Sequence, residues 1–270
     1  MSISYKSLIS AIAALALVPA AAQAWAPADS AAVHPGVQVI TQGAQCTANF
    51  IYQDATSGAT YLGQAAHCSS KGSNTDTDGC TTDTYGTGTP VEIDGSDGNT
   101  YSGTIAYSSW ETMQRLKESD PDACAYNDLE LIKLDAGTVA VTNPSVPFWG
   151  GPTGGMGGAG AGDDVYSYGN SSLRLGLTPL SPKQGKVLSV DGNGWEYTVY
   201  TVTPGIPGDS GSAFLNSTGQ ALGILSFLDI LPTPGGNGVG SVVKEVAYMQ
   251  AHGGPSATVV DGTEPFTPLI

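Results

Sequence analysis

Basic residues are scarce in this sequence of 270 residues. It contains 9 Lys and Arg against 24 Asp and Glu, which gives a net charge of −15 at pH 7. Nucleic acid and anionic lipid are themselves negatively charged, so a surface this acidic repels both. We therefore expect no nucleic-acid partner and no membrane partner.

Long apolar runs are also lacking. Residues 1–24 carry one early cation, an apolar run over residues 8–18 and a small-x-small ending. The run is shorter than the roughly 18 to 20 apolar residues that span a bilayer, and the layout is typical of a secretory signal peptide. We expect cleavage after Ala24 and a secreted, extracellular product, with residues 25–36 as an N-terminal segment or a short propeptide.

Cysteine is rare, and no C-x-x-C pair of the kind that zinc sites use is present. The four cysteines are Cys46, Cys68, Cys80 and Cys124. An even count in an exported chain indicates two disulfides, although four cysteines allow three pairings. Residues 74–79 match the start of a calcium loop, but Tyr85 stands where that loop needs a bidentate Glu, and an ordinary turn is the competing interpretation. We expect no metal and no cofactor.

Glycine and proline, in contrast, are abundant. The 37 Gly and 17 Pro separate many short stretches rich in Val, Ile, Thr and Tyr. Strands at this spacing indicate antiparallel barrels or a sandwich. Two helices are predicted, over residues 108–118 with a capping-box pattern at Ser108 and Glu111, and over residues 241–253. Apolar residues fall on one face of the second helix, which we expect to dock on the barrel surface.

A glycine-rich stretch near the midpoint, residues 150–164, indicates a flexible linker. It divides the chain into a first β-barrel at residues 37–149 and a second at residues 165–252, which includes the C-terminal helix. The tail, residues 253–270, has little pattern, and we expect it to lie along the surface or fray.

Ser210 lies in the Pro/Gly-rich stretch PGIPGDSGSAFLN. A serine hydroxyl becomes a good nucleophile when a base takes its proton and an acid holds that base in one tautomer. His67 follows an apolar strand and precedes a cysteine, and Asp128 directly precedes a strand with alternating leucines. The tight backbone at Gly208 can point its N–H and that of Ser210 at one place, as an oxyanion hole does.

Three motifs in this order, AAHC, NDLELIKL and GDSGSAFLN, followed by ALGILSF, resemble the chymotrypsin-type serine proteases over residues 37–252. The resemblance implies an all-β fold of two packed six-stranded antiparallel β-barrels with a C-terminal helix and an active site between the barrels. It implies that His67 is the general base, Asp128 its orienter and Ser210 the nucleophile, with Gly208 as the second oxyanion donor. It also implies that Cys46 pairs with Cys68, which leaves Cys80 with Cys124.

The function implied is that of a secreted serine endopeptidase, a hydrolase that cleaves protein or peptide substrates through an acyl-enzyme and works as a monomer. The alternative is a catalytically inactive homologue that acts as a binding module.

Substrate preference in this family depends on a few positions around the serine. The position six residues before Ser210 is Pro204, and no acid lies near it, so trypsin-like binding of Arg or Lys is not expected. The predicted pocket walls are Ser226, Phe227 and Leu228, with Gly238 further on. Leu228 replaces a small residue and shortens the pocket, so we expect a small or apolar side chain to bind there.

The family also places a cation beside the aspartate that precedes the serine. Here that aspartate is Asp209, and Arg174 and Arg115 are the only arginines in the chain. We expect Arg174 to be the partner, with Arg115 as the second candidate.

Overall fold

The computed structural model describes residues 24–72, 77–229 and 235–268. The predicted signal peptide, apart from Ala24, lies outside the described residues, and so do residues 74–76 of the calcium-like stretch. Among the helices of the described ranges, none is long and apolar enough to cross a membrane.

Seven strands of the first half of the chain and one strand of the C-terminal tail form an antiparallel sheet of eight strands in the order β14-β3-β4-β7-β6-β5-β1-β2. The strands are β1 Gln38–Thr41, β2 Ala44–Thr47, β3 Ile51–Asp54, β4 Thr60–Ala65, β5 Pro90–Asp94, β6 Thr100–Ser108, β7 Leu129–Leu134 and β14 Ala257–Val259. Their fully buried side chains include Val39, Ile51, Leu62 and Ile132. Burying each such side chain contributes about 1.5–3 kcal/mol, so this sheet has its own core.

The second half forms a closed barrel of six strands in the order β10-β13-β12-β11-β8-β9. The strands are β8 Asp164–Tyr168, β9 Pro182–Asp191, β10 Glu196–Thr201, β11 Ala213–Asn216, β12 Ala221–Asp229 and β13 Gly236–Ser241. Val199, Phe214, Leu222 and Val239 fill its interior. The all-β double-barrel fold is thus confirmed, with the difference that the first half is an eight-stranded half-barrel.

The two edge strands of this sheet, β14 and β2, connect it to other parts of the chain. β14 comes from the C-terminal tail and pairs with β3, where Val259 lies opposite Tyr52. Over β14 the tail neither lies along the surface nor frays, because its Ala-Thr-Val alternation points Ala257 and Val259 into the core. At the other edge of the sheet, β2 uses Thr47 N–H to bond the carbonyl of Ser210 in the second half.

Within the described ranges, four α-helices lie outside the sheets: α1 Ser109–Leu116, α2 Pro121–Tyr126, α3 Ala136–Val139 and α4 Val242–Ala251. α1 and α4 are the two predicted helices. The capping box is wrong, since Ser108 makes no side-chain cap bond and Glu111 Oε2 instead accepts from Thr87 N at 2.8 Å. α2 is an additional helix that begins with Asp120 as its cap and Pro121 in its first turn.

A shared core joins the two halves. It contains Leu129 and Leu131 of β7, Ile224 of β12, and Val246 and Met249 of α4. The apolar face of α4 therefore packs inward, as its sequence pattern predicts. Leu129 of this core directly follows Asp128, one of the predicted site residues, in the chain.

The segments flanking the first half are also held in place. Val33 is fully buried and bridges Thr142, so residues 25–36 pack as part of the first half. Residues 150–163 form neither helix nor strand, but Gly151 N donates to the carbonyl of Glu264 at 2.9 Å. The linker is thus tied to the C-terminal tail.

Candidate active site

His67 and Asp128 form a hydrogen-bonded pair at neighbouring strand ends. His67 lies in the 3₁₀ turn Ala66–Ser69 after β4, and Asp128 directly precedes β7, which pairs with β4. His67 Nδ1 lies 2.7 Å from Asp128 Oδ2, and His67 N–H donates to Asp128 Oδ1 at 2.8 Å. Because a carboxylate only accepts, Nδ1 carries the proton and Nε2 is left as an acceptor.

The surroundings of His67 fix its charge and its position. Burial lowers the pKa of His67, but the negative charge of Asp128 and the hydrogen bond to it raise the pKa above 6.5. Cys68, the next residue, is joined to Cys46 of β2 by a disulfide. The second disulfide joins Cys80 to Cys124. Both pairings agree with those that the resemblance implies.

Strand β2 holds the loop that carries Ser210. Thr47 N donates to the carbonyl of Ser210 at 2.8 Å, and Thr47 Oγ1 donates to the carbonyl of Gly208 at 2.7 Å. Gln45 Nε2 also donates to the carbonyl of Gly208, at 3.0 Å. The carbonyls of this loop are therefore bound on the β2 side.

The N–H groups of Gly208 and Ser210 have no acceptor in the described part of the chain. Gly208 has a φ of +93° and Gly211 a φ of +86°, a region that side chains rarely adopt. A Cβ on Gly211 would come within 2.5 Å of the carbonyl oxygen of Thr47. The loop thus presents two unpaired donors, the requirement for binding an oxyanion.

Ser210 and His67 line one cavity of about 570 Å³. Between the residues that the structure covers, no hydrogen bond joins Ser210 Oγ to His67 Nε2. Such bonds are often long in ligand-free sites and tighten when substrate binds. His34 and His252 lie elsewhere, His34 beside Pro35 and His252 stacked on Tyr248.

Asp209 is fully buried and pairs with two cations. Arg174 donates to Asp209 Oδ2 at 2.6 Å, and Lys183 Nζ lies 3.0 Å from the same oxygen. Asp209 Oδ1 accepts from Ser171 N–H at 3.0 Å. The structure forms the expected ion pair with Arg174, whereas Arg115 lies near the carbonyl of His252.

Lys183 is the partner that sequence reasoning missed. Its side chain is fully buried, but in the sequence it is the residue after the proline that begins β9, a pattern that does not distinguish it from a surface lysine. Burial lowers the pKa of Lys183 against the raising effect of Asp209, and the charge of Arg174 lowers it further.

Two more buried carboxyl groups lie behind the His67–Asp128 pair. Glu130 Oε1 accepts from Ser69 Oγ at 2.6 Å, and Glu245 Oε1 accepts from Asp128 N–H at 2.9 Å. Burial raises the pKa of Glu130 to about 8 and that of Glu245 to about 8, so both are largely neutral at pH 7. A sequence signal for Glu245 exists, since it interrupts the apolar face of α4.

The predicted substrate-binding residues divide into two groups. Ser226, Phe227 and Leu228 line the cavity with Ser210, together with Tyr126 and the other lining residues Ala44, Gln45, Cys46, Cys68, Thr77, Ala125, Pro207 and Gly208. Pro204 and Gly238 are absent from this lining as far as the described residues show.

Phe227 explains why Gly238 is set apart from the cavity. A Cβ on Gly238 would collide with the Phe227 ring, so the ring covers that glycine. The carbonyl of Pro204 instead accepts from Arg174 at 3.0 Å. The side chain that closes the space in front of Gly238 is thus that of Phe227 and not that of Leu228.

Among the described residues, two groups of side chains meet the distance requirement for a metal ion. They are Cys46 with His67 and Cys68, and Asp78 with Cys80 and Cys124. The cysteines of both groups are in disulfides. Metal ions bind the thiolate form of cysteine, which a disulfide does not provide. We therefore assign neither group as a metal site.

Comparisons with known proteins detect a likeness in structure alone. No family model and no curated sequence matches the chain. Protease A of Thermobifida fusca superposes with a TM-score of 0.51 at 18% identity, over 86% of this chain and 100% of that one. Nocardiopsis protease gives 0.51 at 18%, over 84% and 98%. A glutamic acid specific serine protease that uses a histidine triad in substrate binding gives 0.50 at 21%, over 84% and 100%.

Proposed function

We propose, from the premise that the chain has the fold of the chymotrypsin-like serine proteases, that it is a secreted serine endopeptidase. The observation that carries the proposal is the arrangement of Ser210, the His67–Asp128 pair and the two free N–H groups around one cavity. Two disulfides are consistent with an exported protein.

The proposed reaction begins with Ser210 Oγ attacking the carbonyl carbon of the peptide bond, while His67 Nε2 takes the serine proton. Asp128 holds the ring and stabilises its positive charge. The N–H groups of Gly208 and Ser210 donate to the oxyanion, and each such donor is worth about 10²–10³ in rate. His67 then protonates the leaving amine, which leaves an acyl ester on Ser210.

Deacylation uses the same groups. A water molecule gives its proton to His67 Nε2 and attacks the ester carbon, and the oxyanion again lies at the two N–H groups. His67 returns the proton to Ser210 Oγ as the acid product leaves.

We further propose that the residue on the amino side of the cleaved bond is small and apolar. Among the described lining residues of the cavity, His67 is the only His, Lys, Arg, Asp or Glu, so none of them is a carboxylate or an ammonium or guanidinium group that could pair with a charged side chain. Asp209 is unavailable for Arg or Lys because it is paired with Arg174 and Lys183. The space in front of Gly238, which a large side chain would need, holds the Phe227 ring.

Glutamate specificity of the kind named for the third similar structure is not favoured. A histidine triad in substrate binding requires several histidines at the site, and this chain has three in all. His34 and His252 line other cavities than the one that contains Ser210.

Peptide-library cleavage by the mature chain tests the proposal. Ser210→Ala and His67→Ala should each lower kcat by about 10⁶-fold and Asp128→Asn by about 10⁴-fold, the losses typical of such triads. Cleavage mainly after Arg, Lys or Glu would overturn the proposed specificity for small apolar residues. A wild type that cleaves nothing would favour the inactive binding module.

A further inference from the structure

We propose that Glu245 is a positioning residue for the His67–Asp128 pair, acting through the backbone of Asp128. This inference rests on the proposed function. It assigns to α4, a helix of the C-terminal region, the task of fixing the residue that orients the base in the first half.

The geometry makes Glu245 the sole described partner of the Asp128 N–H. Glu245 is fully buried, and its Oε1 accepts that N–H at 2.9 Å. The carbonyl of Asp128 accepts from Ala66 N at 2.6 Å, and its carboxylate binds His67. Without Glu245, the buried N–H of Asp128 would be left unpaired, which is unfavourable.

The surrounding fold reserves space for this carboxyl group. A Cβ on Gly240 of β13 would lie 2.7 Å from Glu245 Oε1 and 3.2 Å from the carbonyl of Tyr126. Val242, Val246 and Met249, the neighbours of Glu245 on the same face of α4, all pack into the shared core. Gly240 leaves room for the carboxyl group of Glu245, and apolar residues surround that side chain. The position is therefore shaped to hold this carboxyl group.

Burying a glutamate at position 245 is energetically unfavourable, so we infer that its bond to Asp128 serves a purpose. Glu245 Oε2 has no hydrogen-bond partner in the described ranges, and an unpaired buried polar atom is unfavourable. Leucine would satisfy the apolar face of α4 without that cost. The one bond that the side chain does make leads to the residue that holds His67.

Glu245 holds Asp128 without adding a second full negative charge. The titratable groups that act on it or respond to it are Asp128 from the start of β7, Tyr52 from β3 and Tyr107 from β6. Burial, with the charge of Asp128, raises the pKa of Glu245 to about 8. At pH 7 it therefore acts mainly as a neutral acceptor, a role that a glutamine carbonyl can copy.

The experiment compares Glu245→Gln with Glu245→Leu. Two readouts are used: the rate at which a serine-directed phosphonate labels Ser210, and the pKa of the His67 ring from an NMR titration. Glutamine should keep both near the wild-type values. Leucine removes the acceptor and should slow labelling by at least about tenfold, since displacing a catalytic group by an ångström can cost about 10². It should also move the pKa of His67 down toward 6.5.

Val246→Ala is the matched control, because it weakens the same face of α4 without touching Asp128. It should lower the melting temperature but leave the pKa of His67 and the labelling rate unchanged below that temperature. A leucine variant with the wild-type pKa of His67 would overturn the proposal. If the wild type takes no label, the proposed function fails, while the pKa comparison still decides the role of Glu245.

Discussion

The loop around Ser210 depends most on the charge of Asp209. Asp209 is fully buried, and its carboxylate binds Arg174, Lys183 and the N–H groups of Ser171 and Ile206. These contacts connect the loop of the candidate nucleophile to the second barrel. We expect the orientation of the Gly208 and Ser210 N–H groups to depend on these contacts.

Replacing the two cations separately and together should reveal this dependence. Lys183→Met and Arg174→Met should each cost about 1.5–3 kcal/mol of unfolding free energy, the range for hydrogen bonds to charged groups. The double variant should lose more than the sum, because Asp209 is then buried without a cation. Urea unfolding measures all four proteins, and strictly additive losses would contradict the account.

Phe227 is the residue on which the proposed specificity depends. Phe227→Ala removes the ring from the space in front of Gly238. Cleavage after large residues such as Phe and Leu should then rise relative to cleavage after Ala. Leu228→Ala is the control, since Leu228 lines the cavity but does not cover Gly238. Kinetics on matched peptides test this, and a stronger shift in Leu228→Ala would assign the restriction to Leu228.

At the scale of elements, the sequence predicts most strands and two helices correctly because short Val/Ile/Thr runs between Gly and Pro are a local signal. The pairing of β14 with β3 depends on a contact between residues far apart in the chain, and no local pattern reports it. The buried state of Lys183 and the partner of Glu245 are non-local in the same way. The Ser, His and Asp motifs, in contrast, are visible as sequence.

β14 should contribute measurably to stability. Val259→Ala deletes two buried carbon atoms, a loss of about 1.6 kcal/mol at roughly 0.8 kcal/mol per CH₂. Thr258→Ala, on the exposed face of the same strand, should have little effect. Urea unfolding compares them, and equal effects would show that β14 is not packed as described.

At the scale of the whole molecule, the buried carboxyl groups should make stability depend on pH. The pKa of Glu130 and of Glu245 rises from an ordinary value of 4.5 to about 8 on folding. The native state then binds protons more tightly than the unfolded state between these values, so unfolding free energy falls as pH rises from 4.5 to 8. The raised pKa of His67 acts in the same direction.

The double variant Glu130→Gln/Glu245→Gln removes both carboxyl groups. Its melting temperature should fall less between pH 5 and pH 8 than that of the wild type. Asp97→Asn, at an exposed loop carboxylate whose pKa is lowered by bonds from Asn99, is the control and should leave this pH window unchanged. If the melting temperatures of the wild type and the double variant changed with pH in parallel, the claim that Glu130 and Glu245 are buried as neutral acids would be wrong.

The central claim is that Ser210 is an activated nucleophile, and phosphonate labelling followed by a mass spectrum tests it most directly. The wild type should gain one phosphonate per chain, on the peptide that contains residues 204–216. The label should be lost in Ser210→Ala and strongly slowed in His67→Ala. A wild type that stays unlabelled, or that carries the label on another residue, would contradict the account.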